Sequence, residues 1–245
     1  MRLLGVLLAM LALAGCVSRS GEPIADGPSE STTSAEAETG SGTRTDETVV
    51  DDDGCEFVGN PAEDALVGLP PTEPVEGDRV VLSTNSGEIG LQLTPDETPC
   101  TVHSFLHLAS EGFYDGTVCH RLTSAGLLKV LQCGDPNGDG TGGPGYTIPD
   151  ELPTDLADAP DGQGIKIYPR GTLAMANAGP DTGGSQFFMV YADSTLPPDY
   201  AVFGSLDPAG LTALDAIAAR GLTPVNGPQD GAPAQPVEIE SATVG

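Results

Sequence analysis

The sequence contains little positive charge, few aromatic residues and no tryptophan. Only 9 of its 245 residues are Lys or Arg, against 36 Asp or Glu, and the formal net charge is -27. Nucleic-acid backbones are bound by clustered basic side chains, but Lys129 and Lys166 are the only lysines. We therefore expect no nucleic-acid partner. Glycine (33) and proline (22) are abundant, which favours a loop-rich β domain over a helical bundle.

The longest hydrophobic run lies at the beginning of the chain. Arg2 precedes apolar residues 3–13, which are too few to span a bilayer as a helix, and Leu13-Ala14-Gly15-Cys16 resembles the lipobox of bacterial lipoproteins. Residues 1–16 are therefore predicted to be a lipoprotein signal segment ending at Cys16, in which Cys16 is diacylated and the residues before it are removed. The lipid would hold the protein at the cell membrane, facing outside the cytoplasm. An ordinary secretory peptide with an incidental cysteine is the alternative.

Two further segments precede the predicted domain. Residues 17–54 are rich in Ser, Thr, Gly, Asp and Glu and offer little to bury, so we predict a disordered acidic linker. The run 51–53, three aspartates, is interpreted as part of this solvated tether. Residues 55–77 combine apolar side chains with Pro70, Pro71 and Pro74 and are predicted to be an extended strap on the domain surface. The folded domain is predicted to comprise residues 78–245.

Short β patterns and two helices are predicted in that domain. Residues 80–84 and 88–93 flank Asn85-Ser86-Gly87, which predicts a β-hairpin. One helix is expected to begin after Thr98 and to end at Gly112, and a second to run from about Ala209 to Arg220. Further strands are predicted at 172–177, 186–191, 201–206 and 237–244. This pattern indicates a mainly β fold, a small closed β-barrel with two helices.

Three segments are more specific than generic β sequence. They are FYDGTVCHR at 113–121, QCGD at 132–135 running into GTGGPGY at 140–146, and GTLAMANAGP at 171–180 followed by GSQFF at 184–188 and VFG at 202–204. Together, over residues 78–244, they resemble the cyclophilin-type peptidyl-prolyl cis-trans isomerases. The resemblance implies a closed eight-stranded antiparallel β-barrel capped by two α-helices, and an enzyme that acts on X–Pro bonds.

The implied reaction needs no metal and no cofactor. Resonance opposes rotation about an X–Pro amide by about 18–20 kcal/mol, and no bond is broken. A fixed cationic donor aimed at the pyramidal nitrogen of the twisted amide would stabilise the transition state. The resemblance assigns this role to Arg121, and it assigns to Gln132 the hydrogen bonds that orient the arginine and bind substrate. A proline-recognising chaperone or binding module with little turnover is the alternative.

The resemblance also implies a substrate groove and a class of partner. Phe188 matches the aromatic floor beneath the proline ring, whereas Phe187, of opposite strand parity, is expected to fill the barrel core. The other matches are Ala176, Asn177 and Gln186 for substrate backbone, Leu196 and Val130 for the apolar wall, and Tyr200 for the rim. The expected partners are proline-containing unfolded or extended polypeptides, bound by a monomer.

Three motifs suggest other chemistry, and the sequence argues against each. Residues 135–140 open like an EF-hand calcium loop, but Tyr146 stands where that pattern requires Glu. His103 and His107 are four apart on a predicted helix without the Glu of a zinc protease, and off its apolar stripe, so we expect both to face solvent. Ser185 lacks the second glycine of a nucleophile elbow.

The cysteine count is compatible with an oxidising compartment. Once Cys16 is acylated, four of the five cysteines remain, an even number. We hypothesise a disulfide between Cys119 and Cys133, on strands predicted to be neighbours, and a second between Cys55 and Cys100, joining the strap to the first helix. Buried free thiols are the alternative for both pairs.

Overall fold

The computed structural model describes residues 47–60, 65–124, 126–160 and 162–245. The predicted signal segment, Cys16 and the predicted linker up to residue 46 lie outside these residues. Neither helix in the described part is long and apolar enough to cross a membrane. The helices are α1 (Pro99–Ser110) and α2 (Pro208–Ala219). The strands are β1 (Thr48–Val50), β2 (Glu56–Gly59), β3 (Arg79–Thr84), β4 (Gly87–Leu93), β5 (Thr117–Val118), β6 (Arg121–Thr123), β7 (Val130–Cys133), β8 (Tyr146–Thr147), β9 (Lys166–Tyr168), β10 (Thr172–Met175), β11 (Phe187–Val190), β12 (Ser194–Leu196), β13 (Val202–Leu206), β14 (Leu222–Gly227), β15 (Asp230–Pro233) and β16 (Glu238–Val244).

Eleven strands form one antiparallel sheet that curls around the main core. Their order is β14-β15-β6-β7-β11-β10-β13-β4-β3-β16-β5, while β1-β2-β8 and β12-β9 form two smaller sheets. Helix α1 buries Phe105 and Leu106 in the main core, and α2 buries Leu214 and Ile217 there. The mainly β class, the hairpin β3–β4 and the two helices are therefore confirmed.

The prediction of a closed eight-stranded barrel is wrong, because the described strands form an open sheet. Strands β5 and β6 follow one another in the chain but lie near opposite ends of the strand order. Between these ends, the backbone pairing is reduced to one isolated bridge, Val118 with Asp135. Cys119 and His120 belong to no strand, and the Cys119 amide is donated towards the β16 side, to the carbonyl oxygen of Val237, so the ladder that would close the barrel is interrupted.

Helix α1 begins where the sequence predicts but is capped by a distant residue. The Thr98 side chain makes no capping hydrogen bond. The carboxylate of Glu151 accepts hydrogen bonds from the amides of Cys100 and Thr101, at 3.0 and 2.8 Å, and thereby satisfies two donors of the first turn. Helix α2 has a local cap, because Asp207 accepts from the Gly210 amide at 2.7 Å.

The predicted disordered linker is wrong for residues 47–54, which contain β1 and a turn. Asp51 is buried, and one of its carboxylate oxygens accepts the amides of Asp53 and Cys55. The other oxygen lies 2.6 Å from Nδ1 of His103. A buried aspartate with these partners is a structural anchor, so the interpretation of the whole run 51–53 as a solvated tether is also wrong.

His103 and His107 do not face solvent, contrary to the prediction. Both are buried: His103 packs edge-on against Phe57 at 5.2 Å, and Nε2 of His107 lies 2.9 Å from the carbonyl oxygen of Gly68. Phe57 and Gly68 belong to the predicted strap, which covers this side of α1. The helix therefore has a second buried face, which its own apolar stripe does not reveal.

Both hypothesised disulfides are present. The Cys55–Cys100 bond joins the residue before β2 to the first turn of α1, across 45 positions of sequence. The Cys119–Cys133 bond joins the residue after β5 to the end of β7. The second bond therefore connects the β5 end of the open sheet to β7, where the only backbone pairing among the described residues is the isolated bridge of Val118 with Asp135.

Candidate active site

Three predicted site residues from different parts of the chain lie in one row on neighbouring strands, and the row continues onto a fourth strand. Arg121 on β6 pairs with Gln132 on β7, Gln132 pairs with Phe188 on β11, and Phe188 pairs with Ala174 on β10. Directly paired residues point to the same face of an antiparallel sheet. The register therefore brings Arg121, Gln132 and Phe188 together on the face that is turned away from the main core.

The alternate residues of the same strands fill the main core. Leu122, Leu131, Phe187 and Leu173 are all completely or almost completely buried there. Phe187 packs edge-on against Phe105 at 5.3 Å, which is the position that strand parity predicts for it. The parity argument therefore separates the two adjacent phenylalanines correctly.

A second apolar cluster surrounds Phe188. Its buried members are Val130, Tyr168, Ala174, Phe188 and Val190, and Ala176, Leu196 and Tyr200 pack against it. The rings of Phe188 and Tyr200 meet edge to face with centroids 5.5 Å apart. Five residues predicted to contact substrate, namely Val130, Ala176, Phe188, Leu196 and Tyr200, thus share one cluster on the outer side of the sheet.

Tyr168 is a buried member of this second cluster, and its hydroxyl makes polar contacts with a neighbouring loop. Its hydroxyl donates to the carbonyl oxygens of Pro197 and Tyr200, at 3.2 and 3.3 Å. Burial raises the pKa of Tyr168 to about 12, so it remains neutral at physiological pH. Its two contacts tie the 197–200 segment, which carries the Tyr200 ring, to the cluster.

The Arg121 guanidinium is held from two sides. Nε and Nη2 donate to Oδ1 and Oδ2 of Asp230 at 2.9 and 2.6 Å, and Nη1 donates to Oε1 of Gln132 at 3.3 Å. The hydrogen bond to Asp230 raises the pKa of Arg121. The same bond lowers the pKa of the Asp230 carboxyl. Both groups are therefore ionised across the physiological range.

The polar contacts continue from Arg121 along the strands. Nε2 of Gln132 donates to Oε1 of Gln186 at 2.9 Å, and Nε2 of Gln186 donates to the carbonyl oxygen of Gly142 at 2.9 Å. Each amide group is thereby fixed at both ends. Arg121 and the two glutamines form one continuous chain of oriented donors and acceptors.

Cavities lie on both sides of Gln132. One, of about 490 Å³, is lined by Arg121, Gln132 and the β14–β15 hairpin. The other, of about 210 Å³, is lined by Gln132, Gln186, Ala176 and Asn177. Arg121 is therefore beside a crevice, and its side chain is 33% exposed.

Ala176 and Asn177 line the smaller of these cavities. The Ala176 amide donates to the carbonyl oxygen of Gln186 at 2.9 Å. The Asn177 side chain is engaged elsewhere, since its Nδ2 donates to the carbonyl oxygen of Asp199 at 2.7 Å. The Asn177 side chain is therefore occupied by these contacts with neighbouring backbone, since its Oδ1 also accepts the Gly179 amide at 3.3 Å.

Asp230 is the site residue that the sequence does not reveal. It follows the turn sequence Asn226-Gly227-Pro228-Gln229, which gives no indication of a role beyond closing a hairpin. Its contact with Arg121 spans 109 positions of sequence. Nothing in the local pattern distinguishes this aspartate from the other acidic residues of the chain.

The structure also argues against the calcium and hydrolase alternatives. Oδ1 of Asp135 accepts the amides of Asn137 and Gly142 at 2.8 and 3.0 Å, and Oδ2 accepts that of Asp139 at 2.9 Å, so N–H donors occupy the space a cation would need. Ser185 is buried and donates to the carbonyl oxygen of Gly134 at 2.7 Å. The described residues contain no group of three or more His, Cys, Asp or Glu that could hold a metal ion.

Gly134 explains how that serine comes so close to β7. Its φ of +86° is in the left-handed region, and a Cβ at this position would lie 2.2 Å from the carbonyl oxygen of Ser185. Only glycine fits this backbone approach. The serine is therefore a buried packing residue next to the site, not an exposed nucleophile.

The chain is similar to known proteins over this same domain. A sequence model of the family described as cyclophilin type peptidyl-prolyl cis-trans isomerase/CLD matches residues 79–244. A protein of Mycobacterium tuberculosis, strain CDC 1551/Oshkosh, named "Probable peptidyl-prolyl cis-trans isomerase B", is 57% identical over 176 residues, which are 71% of this chain and 56% of the relative. A protein of the same name from Mycobacterium leprae is 52% identical over 184 residues, 74% of this chain and 61% of the relative.

A solved structure shares the architecture. It is a Cryptosporidium parvum cyclophilin type peptidyl-prolyl cis-trans isomerase, crystallised in the presence of the dipeptide Ala-Pro, with a TM-score of 0.55 and 29% sequence identity. The match covers 68% of this chain and 98% of that structure. By contrast, the chain spans less than two thirds of the length of the two mycobacterial relatives.

Proposed function

We propose that this chain, which belongs to the cyclophilin-type peptidyl-prolyl cis-trans isomerase family, catalyses the isomerisation of X–Pro bonds in exported, unfolded or extended polypeptides. The observation that carries the proposal is the row Arg121–Gln132–Phe188. It sets a fixed cationic donor and an apolar cluster on the same outer face of the sheet. The Ala-Pro dipeptide named for the similar structure supports a proline-containing ligand.

The distance across the row suits an X–Pro dipeptide unit. Neighbouring strands lie about 4.8 Å apart, so Arg121 and Phe188, on the two sides of β7, have backbones about 10 Å apart. A proline ring stacked on Phe188 would therefore place its nitrogen within reach of the long Arg121 side chain. The apolar wall of Val130, Leu196 and Tyr200 would exclude water from the ring.

Catalysis in this arrangement is differential hydrogen bonding. In the planar amide the nitrogen lone pair is delocalised and accepts poorly, whereas in the twisted amide the nitrogen is pyramidal and accepts a hydrogen bond. An N–H of Arg121 that binds this lone pair stabilises the twisted state more than either planar state. Gln132 keeps the guanidinium in place through its Oε1, and no covalent intermediate is formed.

The test is an isomerase assay on the purified chain with an X–Pro peptide, comparing wild type with Arg121→Ala. One preorganised donor contributes about 3–4 kcal/mol to a transition state, so kcat/KM should fall by about 10²- to 10³-fold. Arg170→Ala is the matched control, because Arg170 also pairs with an aspartate, Asp215, at 2.6 Å but lies outside the site. Its activity should equal that of wild type.

The contrary result identifies the alternative function. If wild type is no faster than Arg121→Ala, and yet both bind proline peptides, the chain is a proline-recognising chaperone or binding module with little turnover. Equal losses in the Arg121 and Arg170 variants would instead point to a general effect of removing positive charge.

We propose further that the domain is a monomer held at the outer side of the cell membrane by lipid on Cys16. The lipobox-like sequence 13–16 supports the anchor. Metabolic labelling with a fatty-acid analogue should mark the wild type and not Cys16→Ala, and the latter should leave the membrane fraction. Labelling of the variant would contradict the anchor. Light scattering of the detergent-solubilised protein tests the monomer.

A further inference from the structure

We infer that Asp230 is a positioning residue for this reaction, which fixes the direction in which the Arg121 guanidinium points. The inference rests on the proposed isomerase function and assigns a role to a residue outside the motifs that carry the family resemblance. Asp230 is not expected to touch substrate. It would act through the arginine.

The contact between the two side chains is bidentate. Nε of Arg121 donates to one carboxylate oxygen at 2.9 Å and Nη2 donates to the other at 2.6 Å. Two parallel bonds from a planar fork to a carboxylate fix orientation as well as distance. The single bond from Nη1 to Gln132 is longer, at 3.3 Å, and by itself would leave the fork free to swing about it.

The position of Asp230 is set by the sheet. Strand β15 pairs with β6 through Asp230 with Thr123 and Gly231 with Leu122. Extending this register by one residue puts Ala232 opposite Arg121, so Asp230 is the diagonal neighbour of Arg121 on the same face, within reach of a long side chain. Gly231 allows the close hairpin, since a Cβ there would lie 2.0 Å from the carbonyl oxygen of Thr223.

The contacts determine which donors remain for substrate. A guanidinium has five N–H groups, of which Asp230 accepts two and Gln132 accepts one. One N–H on each Nη atom is left, and both have fixed directions. Without Asp230, the Nε and Nη2 groups would lose their acceptors and the arginine would sample other rotamers.

Asp230 also offsets the positive charge of Arg121, which could weaken catalysis. The reaction, however, twists a neutral amide and develops no net charge, so the arginine stabilises a nitrogen lone pair by one directed hydrogen bond. A misplacement of about 1 Å in such a contact can cost about 10²-fold in rate. Direction therefore matters more here than net charge, and removal of Asp230 should slow the reaction.

The experiment compares Asp230→Ala and Asp230→Asn with wild type in the same isomerase assay. We expect kcat to fall by about 10- to 100-fold in Asp230→Ala and by less in Asp230→Asn, which keeps one acceptor, while KM changes by less than about twofold. Asp215→Asn, which removes the partner of Arg170, is the matched control and should keep full activity.

A double-mutant cycle separates positioning from a general structural role. In the Arg121→Ala background, Asp230→Ala should change the residual rate by less than about twofold, because there is no guanidinium left to orient. Equal losses in both backgrounds would overturn the inference. So would full or increased activity of Asp230→Ala in the wild-type background.

A spectroscopic readout does not depend on turnover. The Nε–H proton of Arg121 should give a slowly exchanging ¹⁵N-correlated signal in wild type, assigned by its loss in Arg121→Lys, and the signal should exchange faster in Asp230→Asn and disappear in Asp230→Ala. Its persistence at the wild-type exchange rate would overturn the inference. If Asp230→Ala fails to fold, Asp230→Asn decides. If wild type were no more active than Arg121→Ala, the proposed function would be wrong. The Nε–H signal would still report on the contact between Arg121 and Asp230.

Discussion

The inner and outer faces of β6, β7, β11 and β10 are formed by alternate residues of the same short segments, yet they are built differently. The inner face is apolar and continuous with α1, with Phe187 packed against Phe105. The outer face combines the second apolar cluster around Phe188 with the hydrogen-bonded chain from Asp230 to Gln186. Packing therefore stabilises the domain from one side, and the other side is free to carry a groove.

The two adjacent phenylalanines give the largest expected contrast between the faces. Phe187→Ala should lower the free energy of unfolding by about 3–5 kcal/mol, because it leaves a void in a closely packed core. Phe188→Ala should cost less, about 1.5–3 kcal/mol, mainly the transfer energy of the ring. It should instead raise KM for an X–Pro peptide at least tenfold. Denaturant unfolding and peptide kinetics measure the two effects.

The comparison has a control on the same strand. Met189→Leu keeps an apolar side chain of similar volume on the inner face and should change the unfolding free energy by less than about 1.5 kcal/mol, with KM unchanged. If Phe187→Ala raised KM as much as Phe188→Ala did in the folded protein, the two faces would not be separable.

The Cys119–Cys133 disulfide tests whether a covalent link on the inner face affects the outer one. It encloses a loop of 14 positions, so replacing both cysteines by alanine should cost about 3 kcal/mol in unfolding free energy. The β6–β7 pairing of Arg121 with Gln132 and of Leu122 with Leu131 remains. We therefore expect kcat/KM at 25 °C to stay within about threefold of wild type.

The other disulfide provides the matched comparison. Cys55–Cys100 encloses a longer loop, lies in the strap, and should contribute at least as much stability with no effect on kinetics. A loss of activity confined to the Cys119–Cys133 variant, and larger than tenfold, would mean that this bond holds the row of site residues in register.

The smallest expected difference is the response of the two faces to pH. Apolar packing of the inner face does not titrate, whereas the Asp230 carboxyl has a pKa lowered by its hydrogen bonds from Arg121. A lowered folded-state pKa contributes stability above the unfolded value of about 3.9, and this is lost as pH falls through the folded value. The unfolding free energy of wild type should therefore decrease more than that of Asp230→Asn between pH 6 and pH 3. Parallel pH profiles would show that the pair contributes nothing measurable.

Local signals of the sequence located both helices and the strands β3, β4, β10, β11, β13 and β16. The turn after β3, the Thr98-Pro99 start of α1 and the glycine after α2 each depend on neighbours within a few residues, and the observed elements begin and end within one or two positions of the prediction. Strand parity likewise separated Phe187 from Phe188. Such signals suffice because backbone geometry and side-chain alternation are short-range properties.

The predictions that failed depend on contacts between distant segments. The local sequence predicts that Asp51 is solvated. In the structure His103, 52 positions later, lies beside it. The open sheet results from an interruption at Cys119 that a count of strands does not show. Asp230 comes into contact with Arg121 only because β15 pairs with β6.

The sequence by itself thus determined the family, both helices and these six strands, because they follow from local pattern and from motifs with fixed spacing. The tertiary structure alone decided which acids are buried, where the sheet ends and which carboxylate pairs with Arg121. The physical reason is that the energy of a charge or an exposed strand edge is set by whichever segment packs against it. In this chain those segments lie between about 50 and 110 positions away.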